Sequence, residues 1–158
     1  MGRTSRTLRA LAVAALLGAT QRASADGWRA SVNGGVGVAY DQPYLTLGGL
    51  IGHQLGLGFE VELKGDYWFA NTPRLFKLAP GLTWYAPLPF SPYLGGYYAH
   101  WFVESPGADA DSLGVRGGLT VLSTGAFSVS AGLAYERRLD CATNCSTLWP
   151  ELMAGVTF

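Results

Sequence analysis

Residues 148–158 read LWPELMAGVTF. Counting back in twos from Phe158 gives Val156, Ala154, Leu152, Pro150 and Leu148, all apolar. The other parity, Thr157, Gly155, Met153, Glu151 and Trp149, is smaller or more polar. A period of two belongs to a strand with one apolar and one mixed face. The segment ends on an aromatic, and its phase serves as the reference for reading the other strands.

The opposite end reads as a targeting segment. Arg3, Arg6 and Arg9 form a basic region, residues 11–19 a short apolar one, and Ala23-Ser24-Ala25 an A-x-A cleavage box. The apolar run is shorter than the ~20 residues a spanning helix needs. The expected division is a signal peptide over 1–25 and one domain over 26–158. The leader carries four of the eleven basic residues (Arg3, Arg6, Arg9, Arg22) and no acid, leaving seven basic against eleven acidic residues, a net of −4. With no basic patch left, nucleic acid is excluded as an expected partner. Charged residues make up only 14% of the chain, against 22 glycines and 20 Trp, Tyr and Phe residues, a balance that favours strands over helices. Beyond the leader no long apolar window exists. If the chain meets a membrane it must do so as a closed barrel, because lipid cannot satisfy open sheet edges.

The alternation recurs along the chain. In 28–40, Trp28, Val32, Val36, Val38 and Tyr40 share one face, and Arg29, Ser31 and Asn33 the other. A turn at 41–43 precedes a second strand over 44–54, with Leu45, Leu47, Ile51 and His53 on its apolar side; Leu55-Gly56 is read as a tight connection. In 57–69, Leu57, Phe59, Val61, Leu63, Tyr67 and Phe69 oppose Glu60, Glu62, Lys64, Asp66 and Trp68. After a loop near Asn71-Thr72-Pro73, 75–85 places Phe76, Leu78, Leu82 and Trp84 outward, with Pro80 predicting an irregular pair because it lacks a ladder donor. After a turn at Pro87-Leu88-Pro89 comes the fifth strand, 93–104. The parity of Leu94, Tyr98, His100, Phe102 and Glu104 is placed inward because it holds the ionisable groups. A polar loop over 105–111 leads to 112–122, with Arg116 inward. After a turn at 123–125, 127–138 puts Glu136 and Arg138 inward; a loop over 140–147 holds Cys141 and Cys145.

These are eight segments of about ten residues, the even count of bacterial single-chain barrels. Connections after strands 2, 4 and 6 read as short and those after 3, 5 and 7 as longer, the asymmetry of periplasmic turns against extracellular loops; only 41–43 is short against that trend. The fold expected is all-β: an eight-stranded, antiparallel, up-and-down transmembrane β-barrel preceded by a cleaved signal peptide.

On these features the chain resembles the small eight-stranded outer-membrane barrels of the OmpA/OmpX type, over the whole of residues 26–158. The resemblance rests on the leader, the eight alternating segments, the loop parity, the aromatic strand ends Trp28, Tyr40, Phe69, Trp84 and Trp101, and the terminal Phe158. It implies residence in the outer membrane as a monomer in contact with lipid. Phe158, with Val156, Ala154 and Leu152, is similar to the signal by which the barrel-assembly machinery recognises its clients. The loops are shorter than in many members, which weighs against a loop-borne adhesive role.

Eight strands enclose little more than their own side chains. The groups read as inward are Arg29, Glu60, Glu62, Lys64, Asp66, Lys77, Glu104, Arg116, Glu136, Arg138 and Glu151, five basic against six acidic. Buried charges are tolerated when paired, so a lumen filled by a charge network is expected; a narrow polar pore is the alternative. The outer-membrane deacylases of barrel type carry a serine two residues after histidine, where this chain has Phe102 after His100. His100 and Glu104 would lie about 13 Å apart at ~3.3 Å per residue. No catalytic set, cofactor or metal is therefore expected, and the function read is non-enzymatic, structural or surface-interacting. Cys141 and Cys145, even in number in an exported chain, predict a local disulfide. Asp109 and Asp111 suit a divalent cation, but a solvated loop tip is the plainer reading. A secreted, lipocalin-like barrel holding an apolar ligand would be the same alternation turned inside out. The polar face carries too few charges to solvate a whole exterior, which favours lipid outside.

Overall fold

The computed structural model describes residues 27–88, 90–104, 107–141 and 145–158. The expected leader, 1–25, lies outside the described residues, as do Pro89 and Ser105-Pro106 of the expected connections and 142–144 of the cysteine loop. Eight strands run β1 Trp28–Ala39, β2 Gln42–Gly56, β3 Phe59–Phe69, β4 Leu75–Tyr85, β5 Pro92–Val103, β6 Ala110–Thr124, β7 Phe127–Arg138 and β8 Ser146–Thr157. Each pairs antiparallel with the next, and β8 returns to β1, so the sheet closes and leaves no edge. The seam is locked where Trp28 and Phe158 exchange backbone hydrogen bonds, N to O, each 2.9 Å long. Both ends of the described chain lie at one end of the barrel, here the terminus end; the other is the loop end.

The period-two pattern sorts the side chains. Leu47 (60% exposed), Leu152 (62%), Val32, Ile51, Leu63, Leu113 and Leu133 project outward all round the wall. Charged residues of the opposite parity, such as Glu60 and Lys77, are almost fully buried within. Apolar outside and charged inside is the reverse of a lipocalin-like barrel. At the loop end the interior turns aromatic, with Tyr44, Trp68, Trp101 and Trp149 packed around Leu75. Pro80 pairs with Leu63 of β3, but the ladder to β5 passes from Leu78–His100 to Gly81–Tyr97 without partners for Ala79 and Pro80. That is the irregularity a missing donor requires, and the register on either side of it does not shift.

β5 corrects the sequence reading. Leu94, Tyr98 and Phe102 face outward and are exposed, His100 lies on their side at the rim, and Glu104 follows the strand in an exposed position. The inner face instead carries Tyr93, Tyr97, Ala99 and Trp101. The assignment by ionisable groups fails because His100 sits near the barrel's end, where its Nδ1 meets Asp111 Oδ1 at 2.7 Å in partial contact with water. The interior selects the rings for their fit: a Cβ on Gly114 would lie 2.2 Å from Tyr97 Cζ, and one on Gly132 2.3 Å from the Tyr93 hydroxyl. Glycine on the neighbouring strands makes the space that these tyrosines fill.

Several boundaries also move. The first turn is Tyr40-Asp41, both at positive φ (50° and 57°), with Gln42 and Pro43 already in β2. The second is Leu57-Gly58 (φ 52° and 83°), so Leu55 and Gly56 belong to β2 and Leu57 is not a strand residue. A register shift between Gln54 and Gly56 absorbs the extra residue in that hairpin. Ser123 and Thr124 lie in β6, which carries a further shift between Thr120 and Leu122 and so exposes Val121 and Leu122 together. The β4–β5 connection spans 86–91, longer than the short turn expected at that end.

Candidate functional site

The lumen is where the unusual chemistry lies. β3 contributes Glu62, Lys64 and Asp66 at every second residue, so all three point into the barrel from one strand. Opposite charges reach them from across the interior. Arg116 of β6 pairs with Glu62 and lies 3.9 Å from Glu151 of β8. Glu151 pairs with Lys64; Lys64 Nζ lies 3.3 Å from Asp66; Lys77 Nζ of β4 lies 3.3 Å from both Asp66 and Glu136. The run Glu62–Arg116–Glu151–Lys64–Asp66–Lys77–Glu136 therefore alternates in sign at every step. Arg29 and Glu60 form a separate pair, Nη2 to Oε1 at 2.8 Å, near the terminus end, with the Arg29 guanidinium 4.8 Å from the Tyr85 ring centroid.

Neutral groups complete the chain. Asn33 Nδ2 donates to Asp66 (2.7 Å) and the Thr83 hydroxyl to Glu62 (3.0 Å). Glu136 accepts from Trp101 Nε1 (2.5 Å), the Ser112 hydroxyl (2.5 Å) and the Tyr97 hydroxyl (3.1 Å) as well as from Lys77. Lys77 sits in an aromatic box, its ammonium 4.7 Å from Trp149 and 4.9 Å from Trp101. Charges removed from water are tolerated only with such partners, and the alternation gives each cation an anion on either side.

Arg138 lies outside this network. It stands two residues beyond Glu136 on the same face, one step nearer the mouth, and bonds Asp140 through Nε (3.2 Å) and Nη2 (3.1 Å) with its side chain 39% exposed. Those bonds hold the Asp140 carboxyl below the usual carboxylate range. Cys141 and Cys145 are bonded to one another. The Phe158 side chain is 74% exposed while its backbone closes the seam. On the outer wall His100 contacts Asp111, Asp109 at 3.9 Å and the Phe102 ring, and the Tyr98 hydroxyl donates to Asp111. Among the described residues no group of three or more His, Cys, Asp or Glu side chains is arranged to hold a metal ion.

Tyr97, Trp101, Asn33 and Thr83 were missed as parts of this site. Of the first two, Tyr97 carries a readable signal: with Tyr93, four residues before it on β5, it stands opposite the glycine-rich stretch of β6, Gly114-Val115-Arg116-Gly117-Gly118, whereas Trp101 stands opposite Ala110. The last two carry none, since isolated Asn and Thr on a strand are commonplace.

No protein-family model and no curated protein sequence matches the chain. Solved structures do. The N-terminal β-barrel domain of Pseudomonas aeruginosa OprF superposes with a TM-score of 0.64 at 17% identity, covering 82% of this chain and 97% of that one. Neisserial surface protein A superposes with a TM-score of 0.60 at 18% identity, covering 85% and 96%. Closure and strand count agree with that likeness, and the chain has the fold of the eight-stranded outer-membrane β-barrels.

Proposed function

We propose that this protein is an integral outer-membrane β-barrel without catalytic activity, exported by a cleaved leader and inserted as a monomer, whose role is structural or surface-interacting and whose lumen is a filled, non-conducting core. The observation that carries the reading is the inversion of the two faces. A continuous belt of Leu, Val and Ile with aromatic ends at Trp28, Phe59 and Trp84 covers the outside. A soluble protein rarely exposes contiguous apolar surface on that scale, whereas lipid requires it. Inside, the seven-charge chain bridges the wall from β3 to β4, β6, β7 and β8, and leaves each ion paired rather than hydrated. Phe158 is proposed as part of the signal read by the assembly machinery.

The test has two steps. Outer-membrane fractions are run in SDS with and without boiling; a fast-migrating unboiled band supports a closed membrane barrel, and a soluble species without a shift overturns it. The purified barrel is then placed in a planar bilayer. Silence supports the filled lumen; steady, discrete conductance overturns it in favour of a narrow pore.

A further inference from the structure

Beyond the charge chain, toward the loop end, the lumen opens into a cavity of about 100 Å³. Its floor is aromatic. Trp68 meets Trp101 edge-on, with ring centroids 4.9 Å apart, and Trp149 likewise at 5.4 Å. Gly37 makes this possible, because a Cβ there would lie 2.4 Å from the Trp68 ring. Tyr40 and Arg138 stand at the rim, with the guanidinium 5.9 Å from the Tyr40 ring centroid.

The two charged residues that line the cavity are not equivalent. Glu136 already accepts from Trp101, Ser112, Tyr97 and Lys77, so its lone pairs are engaged. Arg138 gives two of a guanidinium's five N–H donors to Asp140 and also meets the Tyr40 side chain, which among the described residues still leaves donors over. Trp68, in the floor, has a buried indole N–H without a hydrogen-bond partner among the described residues. The Trp68 N–H is sealed from the cavity, so the cavity offers apolar faces, the remaining donors of Arg138, and no unengaged acceptor on either lining charge. A cationic ligand is disfavoured twice over: the Lys77 ammonium already occupies the aromatic box beneath, and Arg138 sits at the entrance.

We propose that this cavity binds a small, flat carboxylic acid, its single ring on the tryptophan floor and its carboxylate on the remaining Arg138 donors. At about 100 Å³ the cavity is smaller than the roughly 150 Å³ that encloses benzene, so the ring seats in it only in part, with its carboxylate-bearing edge projecting through the mouth. Arginine's planar fork suits a carboxylate, and the Tyr40 ring and Asp140 hold it in place before a ligand arrives.

The probe is benzoate, titrated into the full barrel in lipid nanodiscs with 15N-labelled tryptophan. The five indole N–H signals provide an internal control, because Trp28 and Trp84 face outward while Trp68, Trp101 and Trp149 face the lumen. The expected result is a saturable shift of the three lumenal signals with the outer two unmoved. Arg138→Gln should weaken binding roughly tenfold, the worth of one charge-assisted hydrogen bond, and Arg138→Lys by less. Arg138 is half exposed at the rim, so both variants should keep the unboiled gel mobility of the parent. Benzylamine should produce no saturable shift. Absence of saturation with benzoate overturns the proposal. So does movement of all five signals together, which marks partition into lipid, and so do equal affinities in Arg138→Gln or equal binding of benzylamine.

Discussion

Replacing Lys77 by methionine keeps the buried stem and removes the ammonium that stands between Asp66 and Glu136. Each pair is 3.3 Å long, worth ~5 kcal/mol of attraction at an effective dielectric of about 20. Against those two pairs stands the cost of desolvating the lysine, several kcal/mol in a real protein. The carboxylates left behind retain other partners, Lys64 and Asn33 for Asp66, and Trp101, Ser112 and Tyr97 for Glu136. The expected net loss for K77M is therefore that of a broken buried pair, about 3–5 kcal/mol. The assay is equilibrium urea unfolding of the barrel in lipid vesicles, read by tryptophan fluorescence and by unboiled gel mobility. The cycle is closed with E136Q and the double variant K77M/E136Q. Because the double variant removes both members of one pair, its cost should fall short of the sum of the single costs by about 2 kcal/mol. A loss below about 0.5 kcal/mol for K77M, or strictly additive single effects, would refute the reasoning. Either outcome would mean that the lumenal charges are screened by water and not coupled to one another.

Three further outcomes follow from the same geometry. Gly114→Val should cost about 1–3 kcal/mol by overpacking, since its side chain would displace Tyr97 from Glu136; urea unfolding of the purified variant measures it, and parental stability would refute the glycine–tyrosine fit. Phe158→Ala should leave the stability of the refolded barrel within about 0.5 kcal/mol, as an exposed side chain should. The same variant should lower the yield in outer-membrane fractions, and an unchanged yield would count against its role as an assembly signal. Cys141→Ser with Cys145→Ser opens a loop closed over a separation of only four residues, so the loss should not exceed about 2 kcal/mol by chain entropy; a larger loss would mean that the bridge holds more than its own loop.

Strand number, closure and the side of the sheet that faces the lumen were legible in the chain itself. The reason is the pleat: with a period of two, a one-residue slip would turn Phe59, Val61, Leu63 and Tyr67 of β3 inward and its charges outward, so the alternation specifies the face strongly. The pattern was weakest where both faces of a strand are aromatic, and β5 was misassigned there. Tyr, Trp and Phe stand at 93, 97, 98, 101 and 102, and composition alone does not say which rings meet the space left by glycine on the next strand. Turn positions shifted by one to three residues because Tyr40, Asp41 and Leu57 adopt positive φ without glycine's signature. What only the tertiary structure decided is partnership across the lumen. Arg116 and Glu62 are 54 residues apart, Lys64 and Glu151 87 apart. Which cation meets which anion depends on stagger and barrel diameter, quantities set by all eight strands together and by no segment alone. The same holds for Arg138, identical in parity to Glu136 but one step nearer the mouth, where water and Asp140 replace the buried chain.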